Sequence, residues 1–509
     1  MRTKKAAVNS IANILSYIII LVPNFLVRKV FLVNLGENWL GVNSLFANII
    51  GLLSIMELGI GSAIVFSLYK PFEENNKEKV QGYLYYYKKF YSKLGKIILI
   101  VGLLLIPFLN IFINNELNMK MVTICYIICL CNTYITYIYS YKSCILNVAQ
   151  EEFKLSISST ISKLIICILQ IMFIMIIPSF VVFLSIQFII NLAYYIILNI
   201  YIDKKYSWIN SSNGYIEISE KKSLTKNIKA LFFHKIGSFV VDSTDNLMIS
   251  YFINLSTVAK FNSYNMIIST CRNIVFKGLS GVTASIGNLL VTKDKKSAYD
   301  VHKKLFFLSF WIVSFICIML FNVLDNFIII WLGKDQLLDR FTVVILIFNL
   351  YFIAMRSSVE RFKESSGNFS QDKYAPVFEA IINLGASIIL VKKIGLPGIF
   401  LGTLISNLTV IFWTKPLIVY KYVFNVRVSE YYKMYFKYLG ISIIPLVMSS
   451  YLCNKIIINN IYVSFLLECI IITLVVNSIY IIIFRNSNEF NYYKNMLYKL
   501  IRGINKTVV

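Results

Sequence analysis

Stretches of about twenty apolar residues, broken by short polar turns, recur from one end of the chain to the other. Each is long enough to cross a hydrocarbon layer roughly 30 Å thick, because a helix rises about 1.5 Å per residue. Lipid offers no partner to a backbone amide, so such segments are restricted to helices that satisfy themselves. About fourteen spans follow: near 9–30, 39–66, 96–114, 120–141, 156–177, 179–201, 230–253, 258–291, 305–324, 340–356, 375–391, 397–418, 435–454 and 461–484. The span at 258–291 is overlong and should tilt or protrude. The predicted fold class is all-α, a polytopic membrane protein. Of 509 residues 58% are hydrophobic, more than a soluble core of this size requires.

The formal net charge is +25. In a membrane protein that charge belongs to the loops, where it sets topology and meets anionic membrane lipids, so no nucleic acid is expected as partner. With the N-terminus inside, the inner segments hold roughly four times the Lys and Arg of the outer ones. Both termini are therefore predicted to be cytoplasmic. The opening MRTKK runs into a long apolar segment without a small-residue cleavage site and reads as a retained first span. The second half of the inner stretch 67–96 alternates Tyr and Lys at near-helical spacing, which fits an interfacial helix with Tyr at headgroup level or, equally, a solvated positive-inside loop. The break 202–229 is the longest polar one. It divides a lobe at 1–201 from a second at 230–418, and 419–509 adds two further spans and a basic tail. The nine cysteines sit mostly in apolar runs without a Cys-x-x-Cys pair and read as buried thiols. With only His234 and His302 available, neither a metal centre nor a cofactor is expected.

The stretch 230–265 combines a lipid-length helix with His234, Lys235, Asp242 and Asp245. At about 100° per residue from His234, Asp245 falls at about 20°, Asp242 at about 80° and Lys235 at about 100°. A charge at the bilayer centre costs at least about 2.5–3.5 kcal/mol, so gathering these groups on one arc points that arc at a watery interior. Internal ion pairing, such as Lys235 with Asp242, is the plainer alternative. Arg272 lies about 20 Å into the next span, too deep for easy snorkelling, and should face the interior or a carboxylate such as Asp245. Lys277 is placed to serve the same path. Arg28 closes the first span, where snorkelling is the default, but that span would sit beside the seventh in a two-lobe cavity, so Arg28 stays a candidate; Lys163 near the inner end of the fifth span is placed to snorkel. Glu57 is followed by Gly59 and Gly61, which suggest a close helix approach or a bend. Glu468 has no evident partner. The candidate substrate-binding cations are thus Arg272, Lys277, His234, Lys235 and Arg28. The candidate coupling or cavity carboxylates are Asp242, Asp245 and Glu57.

Two corners repeat. NLGENWLGVNSLF starts at Asn34 and NLSTVAKFNSYN at Asn254, with Asn43-Ser44 aligned to Asn262-Ser263 after one gap. They occupy corresponding positions in the two lobes, which favours repeated halves.

The stretch from Leu35, LGENWLGVNSLFANIIGLLSIMELGIGSAIVFSLYKPF, with YYYKKFYSKLG after it, resembles the N-terminal region of Wzx-type polysaccharide-unit flippases. These belong to the multidrug/oligosaccharidyl-lipid/polysaccharide exporter superfamily. HKIGSFVVDSTDNLMISYFINLSTVAKFNSYNMI is similar to the seventh and eighth spans of that family. The resemblance implies two pseudo-symmetric six-helix bundles around a central cavity plus two C-terminal helices. It implies alternating access that carries an undecaprenyl-diphosphate-linked oligosaccharide across the bacterial cytoplasmic membrane, for capsule, O-antigen or a similar polymer. A polysaccharide polymerase and chain-length proteins would be partners in such a pathway. The alternative is an ion-coupled multidrug or other lipid exporter, which would favour carboxylates without excess cations. An enzyme is disfavoured by short outer loops and by the scarcity of histidine.

The topology is open to a direct test. On a background lacking reactive thiols, Ser212→Cys should stay unlabelled by a membrane-impermeant thiol reagent in intact cells and react after permeabilisation. Labelling before permeabilisation would reverse the assignment.

Overall fold

The computed structural model describes residues 2–57, 60–113, 117–210, 216–217, 220–221, 244–280, 283–368, 371–372, 374–456 and 458–505. Among them there are helices and turns and no strand. Among the described residues nine helices are long and apolar enough to cross a membrane, or ten if one bent pair counts as a span. The chain is a multi-pass membrane protein. It divides into two compact units, Met1–Ala259 and Lys260–Val509, and the division falls early in one helix.

Unit 1 begins with α1 (Arg2–Leu53), broken at Gly36, where φ is 83° and ψ is 174°. An L residue is strained at that φ, so glycine supplies the corner inside NLGENWLG. A 3-10 turn at Ser54–Glu57 leads to α2 (Ile60–Glu73). Next is α3 (Lys77–Leu104), whose Asn76 cap accepts from the Lys79 amide at 3.0 Å. A bend of 44° follows, through Ile106–Phe108 into α4 (Leu109–Ile113). The unit continues with α5 (Met119–Tyr139), α6 (Cys144–Val148), α7 (Glu152–Ile176) and α8 (Phe180–Lys205). The helical residues 244–252 form α9. α1 packs on α7, α5 on α8 and α3 on α5, around Phe31, Leu45, Phe46, Tyr126 and Leu130.

The Tyr-rich stretch departs from expectation. It is not an interfacial helix but the first half of α3. Tyr83, Tyr87 and Tyr91, four residues apart, are buried against the unit, while Lys88, Lys89, Lys93 and Lys96 are exposed. The amphipathic spacing was real; its tyrosine face packs on protein because large rings bury more area there than at a headgroup.

Unit 2 holds the rest of α10 (Leu255–Ser280), then α11 (Thr283–Thr292). These two helices lie within the span expected at 258–291, whose residues 281–282 are outside the described ones. α12 (Lys295–Leu332) is capped by Asp294, and α13 (Arg340–Met355) by Asp339, which accepts from the Thr342 amide at 2.8 Å. α14 (Ser357–Ser366), α15 (Ala375–Ile394) and α16 (Leu396–Ser406) follow. Two π-helical turns, Asn407–Ile411 and Val419–Phe424, flank α17 (Phe412–Ile418). α18 (Ser429–Asn454) and α19 (Ile461–Phe484) both pack on α12, and the amphipathic α20 (Asn488–Asn505) ends the description. The core is aromatic: Phe310 stacks on Tyr438 with centroids 4.5 Å apart, and His302 lies buried between Ser358 Oγ (3.0 Å) and Tyr420 Oη (3.1 Å). Glu468, which the sequence left without a partner, accepts from Asn326 Nδ2 at 2.8 Å and Ser464 Oγ at 2.9 Å.

A buried ion cluster joins α14, α17 and the first π-helical turn. Glu360 Oε1 accepts from Arg356 Nε at 2.9 Å and from Lys415 Nζ at 2.6 Å, and Arg356 Nη1 donates to Asn407 Oδ1 at 2.8 Å. Removing the one acid would strand two cations. Glu360→Ala should therefore cost about 3–5 kcal/mol, read as a large drop in the melting temperature of the detergent-solubilised protein. An unchanged melting temperature would mean that the cluster is idle.

Candidate functional site

The two repeated corners meet inside unit 1. The Gly36 break turns α1 so that Glu37 and Gly41 face the start of α10. Ser256 Oγ donates to Glu37 Oε2, and a Cβ at Gly41 would run into the Leu255 carbonyl. Asn254 caps α10 by accepting from the Thr257 amide at 2.8 Å. One side of this corner is closed by Arg28, whose Nη2 donates to the Ala259 carbonyl at 2.8 Å. Arg28 therefore does not snorkel outward; it is half-buried and turned to the protein. Glu37 was not singled out from the sequence, although it lies in the very corner whose repetition was noticed.

Glu57 ends the 3-10 turn between α1 and α2, in a cage of tyrosines. Tyr91 Oη donates to Glu57 Oε1 at 2.7 Å. Tyr87 and Tyr91 meet edge to face at 4.3 Å, and Tyr91 and Tyr137 lie 5.5 Å apart. The expected close approach at Gly61 holds, since a Cβ there would sit 3.3 Å from Tyr87 Oη. Hydroxyls and not cations stabilise this carboxylate. It can hold a helix break in place. It is not grouped with the other site residues.

Arg272 is half-buried on α10, and Lys277 on the same helix is exposed. Five residues turn a helix by about 140° from one another, so the two cations do not share a face. Near that end of α10, Arg361 Nη2 donates to the Phe276 carbonyl at 3.4 Å. Asp245 is half-buried on α9, and the neighbouring Ser250 Oγ donates to the Phe112 carbonyl at 2.6 Å. His234, Lys235 and Asp242 lie outside the described residues. Lys163 is exposed and lines a polar cavity of unit 1.

No protein-family profile matches the chain, and no curated protein sequence matches it. Solved structures do. The lipid II flippase MurJ in an inward closed conformation superposes with a TM-score of 0.71 at 17% identity, over 94% of this chain and 99% of that one. An inward-facing multidrug resistance MATE family transporter of the MOP superfamily gives 0.60 at 14%, over 79% and 95%. The Vibrio cholerae MATE transporter VcmN in its bent form gives 0.53 at 12%, over 82% and 98%. The chain has the fold of these transporters, which is the all-α, polytopic class predicted from the sequence.

The tyrosine cage carries its own prediction. Glu57→Gln keeps an acceptor for Tyr91 and should leave thermal stability close to wild type. Glu57→Ala leaves a buried phenol unsatisfied and should cost about 1–3 kcal/mol, measured by thermal unfolding in detergent.

Proposed function

We propose that the chain is a flippase that moves undecaprenyl-diphosphate-linked oligosaccharide units from the inner to the outer leaflet of the bacterial cytoplasmic membrane by alternating access. The observation that carries this reading is the near full-length likeness to a flippase of a lipid-linked substrate, longer than the likeness to the multidrug transporters. Arg28 and Arg272 add to it. A diphosphate head needs fixed cations inside the membrane, and guanidinium groups meet phosphate oxygens with two parallel donors. Both termini are placed in the cytoplasm, with the polar stretch 202–229 as the boundary between lobes and the last two spans outside the repeat. The carboxylates Asp242 and Asp245 then serve to hold cations or to couple transport to an ion. No bond is made or broken in this role, so the protein acts as a transporter and not an enzyme. Export of capsule, O-antigen or a related polymer, alongside a polymerase, is the setting the sequence resemblance supplies.

A multidrug or other lipid exporter is the second reading, favoured by the shared fold of the MATE structures. The two readings part at Arg272. Under the flippase reading, Arg272→Ala should stop surface polymer while the protein still inserts, and Arg272→Lys should keep more export than Ala. Surface polymer would be measured at matched protein level in a strain lacking the native copy. Full export by the Ala variant would remove Arg272 from the path.

A further inference from the structure

Within unit 1, the 3-10 turn Ser140–Ser143 after α5, α6, the first half of α7 and the second half of α8 line an open cavity of about 400 Å³. Its size falls in the range of about 300–1,000 Å³ that ligand pockets occupy. The wall is unusual for a membrane protein interior, because hydroxyls and amides make up most of it, Ser159, Ser162, Asn147, Asn191 and Tyr195 among them. Each such group both donates and accepts, the match required by a polyhydroxylated ligand. Charge is sparse there. Lys163 is the one cation on the wall and makes no ion pair among the described residues. Glu152 at the edge accepts from Asn13 Nδ2 at 3.3 Å.

Two lining atoms are left unsatisfied. Ser162 is 7% exposed and its Oγ has no hydrogen-bond partner, and neither has Asn147 Oδ1. Each buried orphan costs about 1–3 kcal/mol, a penalty that a ligand with matching groups removes. A hydroxyl reorients by rotation about one torsion, so Ser162 can turn to meet such a ligand. The polar surface does not stop at this cavity. Asn191 Nδ2 donates to Asn132 Oδ1 at 2.9 Å, and Asn132 also lines a smaller cavity of about 160 Å³ with Asn43 and Gln187. Part of the larger cavity's lining, Ser143, Asn147 and Glu152, lies in the stretch 142–155 that the Lys and Arg distribution assigns to the cytoplasmic side.

We propose that this cavity is a sugar-recognition site of unit 1. It receives the glycan part of a lipid-linked unit, and Lys163 meets an anionic substituent on it. The proposal rests on the flippase reading above and assigns the discrimination among sugar units to α7 and α8.

The test is native mass spectrometry of the full-length protein in nanodiscs, with two probes. One is undecaprenyl diphosphate, and the other is lipid-linked oligosaccharide extracted from cells that lack this protein. Ser162→Leu and Asn191→Leu should bind the bare diphosphate lipid as wild type does, and the oligosaccharide lipid about tenfold more weakly. Ser162→Ala removes a hydroxyl that no other residue uses, so it leaves the fold intact. It should weaken the oligosaccharide lipid alone by about threefold. Variants that bind both lipids like wild type would overturn the sugar site and leave the flippase reading standing. Wild type that binds neither lipid would overturn the flippase reading and this proposal with it.

Discussion

A polar or charged group that this chain carries into its apolar helices is costly unless it finds a partner within the protein. That constraint organises both units. The backbone meets it by being helical. Side chains meet it where two helices come close enough to share a bond, and the sites that result are few and specific. Glu57 is held by tyrosine hydroxyls, Glu468 by an asparagine and a serine, Glu360 by an arginine and a lysine, and Arg28 by a main-chain carbonyl. Each is an unfavourable residue for lipid, tolerated because its partner lies on another turn or another helix.

The fold class was legible because spacing and apolar length are properties of single segments. α19 was predicted at 461–484 and runs from Ile461 to Phe484. α13 was predicted at 340–356 and runs from Arg340 to Met355. What the sequence obscured were breaks inside apolar runs. The Gly36 corner and the 3-10 turn at Ser54–Glu57 cost little hydropathy, so a count of apolar residues passes over them. The tyrosines of α3 were misplaced for a related reason. Amphipathic periodicity says which residues share a face, and is silent on whether that face meets lipid headgroups or another helix.

The candidate site was legible only in part. Depth in an apolar run picked out Arg272, while Arg28 was kept only because its span was expected beside span seven. Nothing in the local sequence could have paired Arg28 with Ala259, or Glu360 with Lys415, because those contacts are set by how helices pack. The serine-rich face of α7 illustrates the same limit. Ser156, Ser159, Ser162 and Lys163 read as a helix with some tolerable polar residues, and only the packing of α8 beside it makes a cavity.

The bond from Arg28 to Ala259 spans 231 residues of chain. At a synthesis rate of about 5–20 residues per second, the second partner emerges on the order of 10 to 50 s after the first. For that interval the first span sits in the bilayer without this bond. It must reach for headgroups, remain beside the insertion machinery, or shelter against the early neighbours α5 and α7. The corner that closes unit 1 is thus also the last of its contacts to form during biogenesis, and the order of synthesis becomes a determinant of whether the first helix settles where the finished protein needs it.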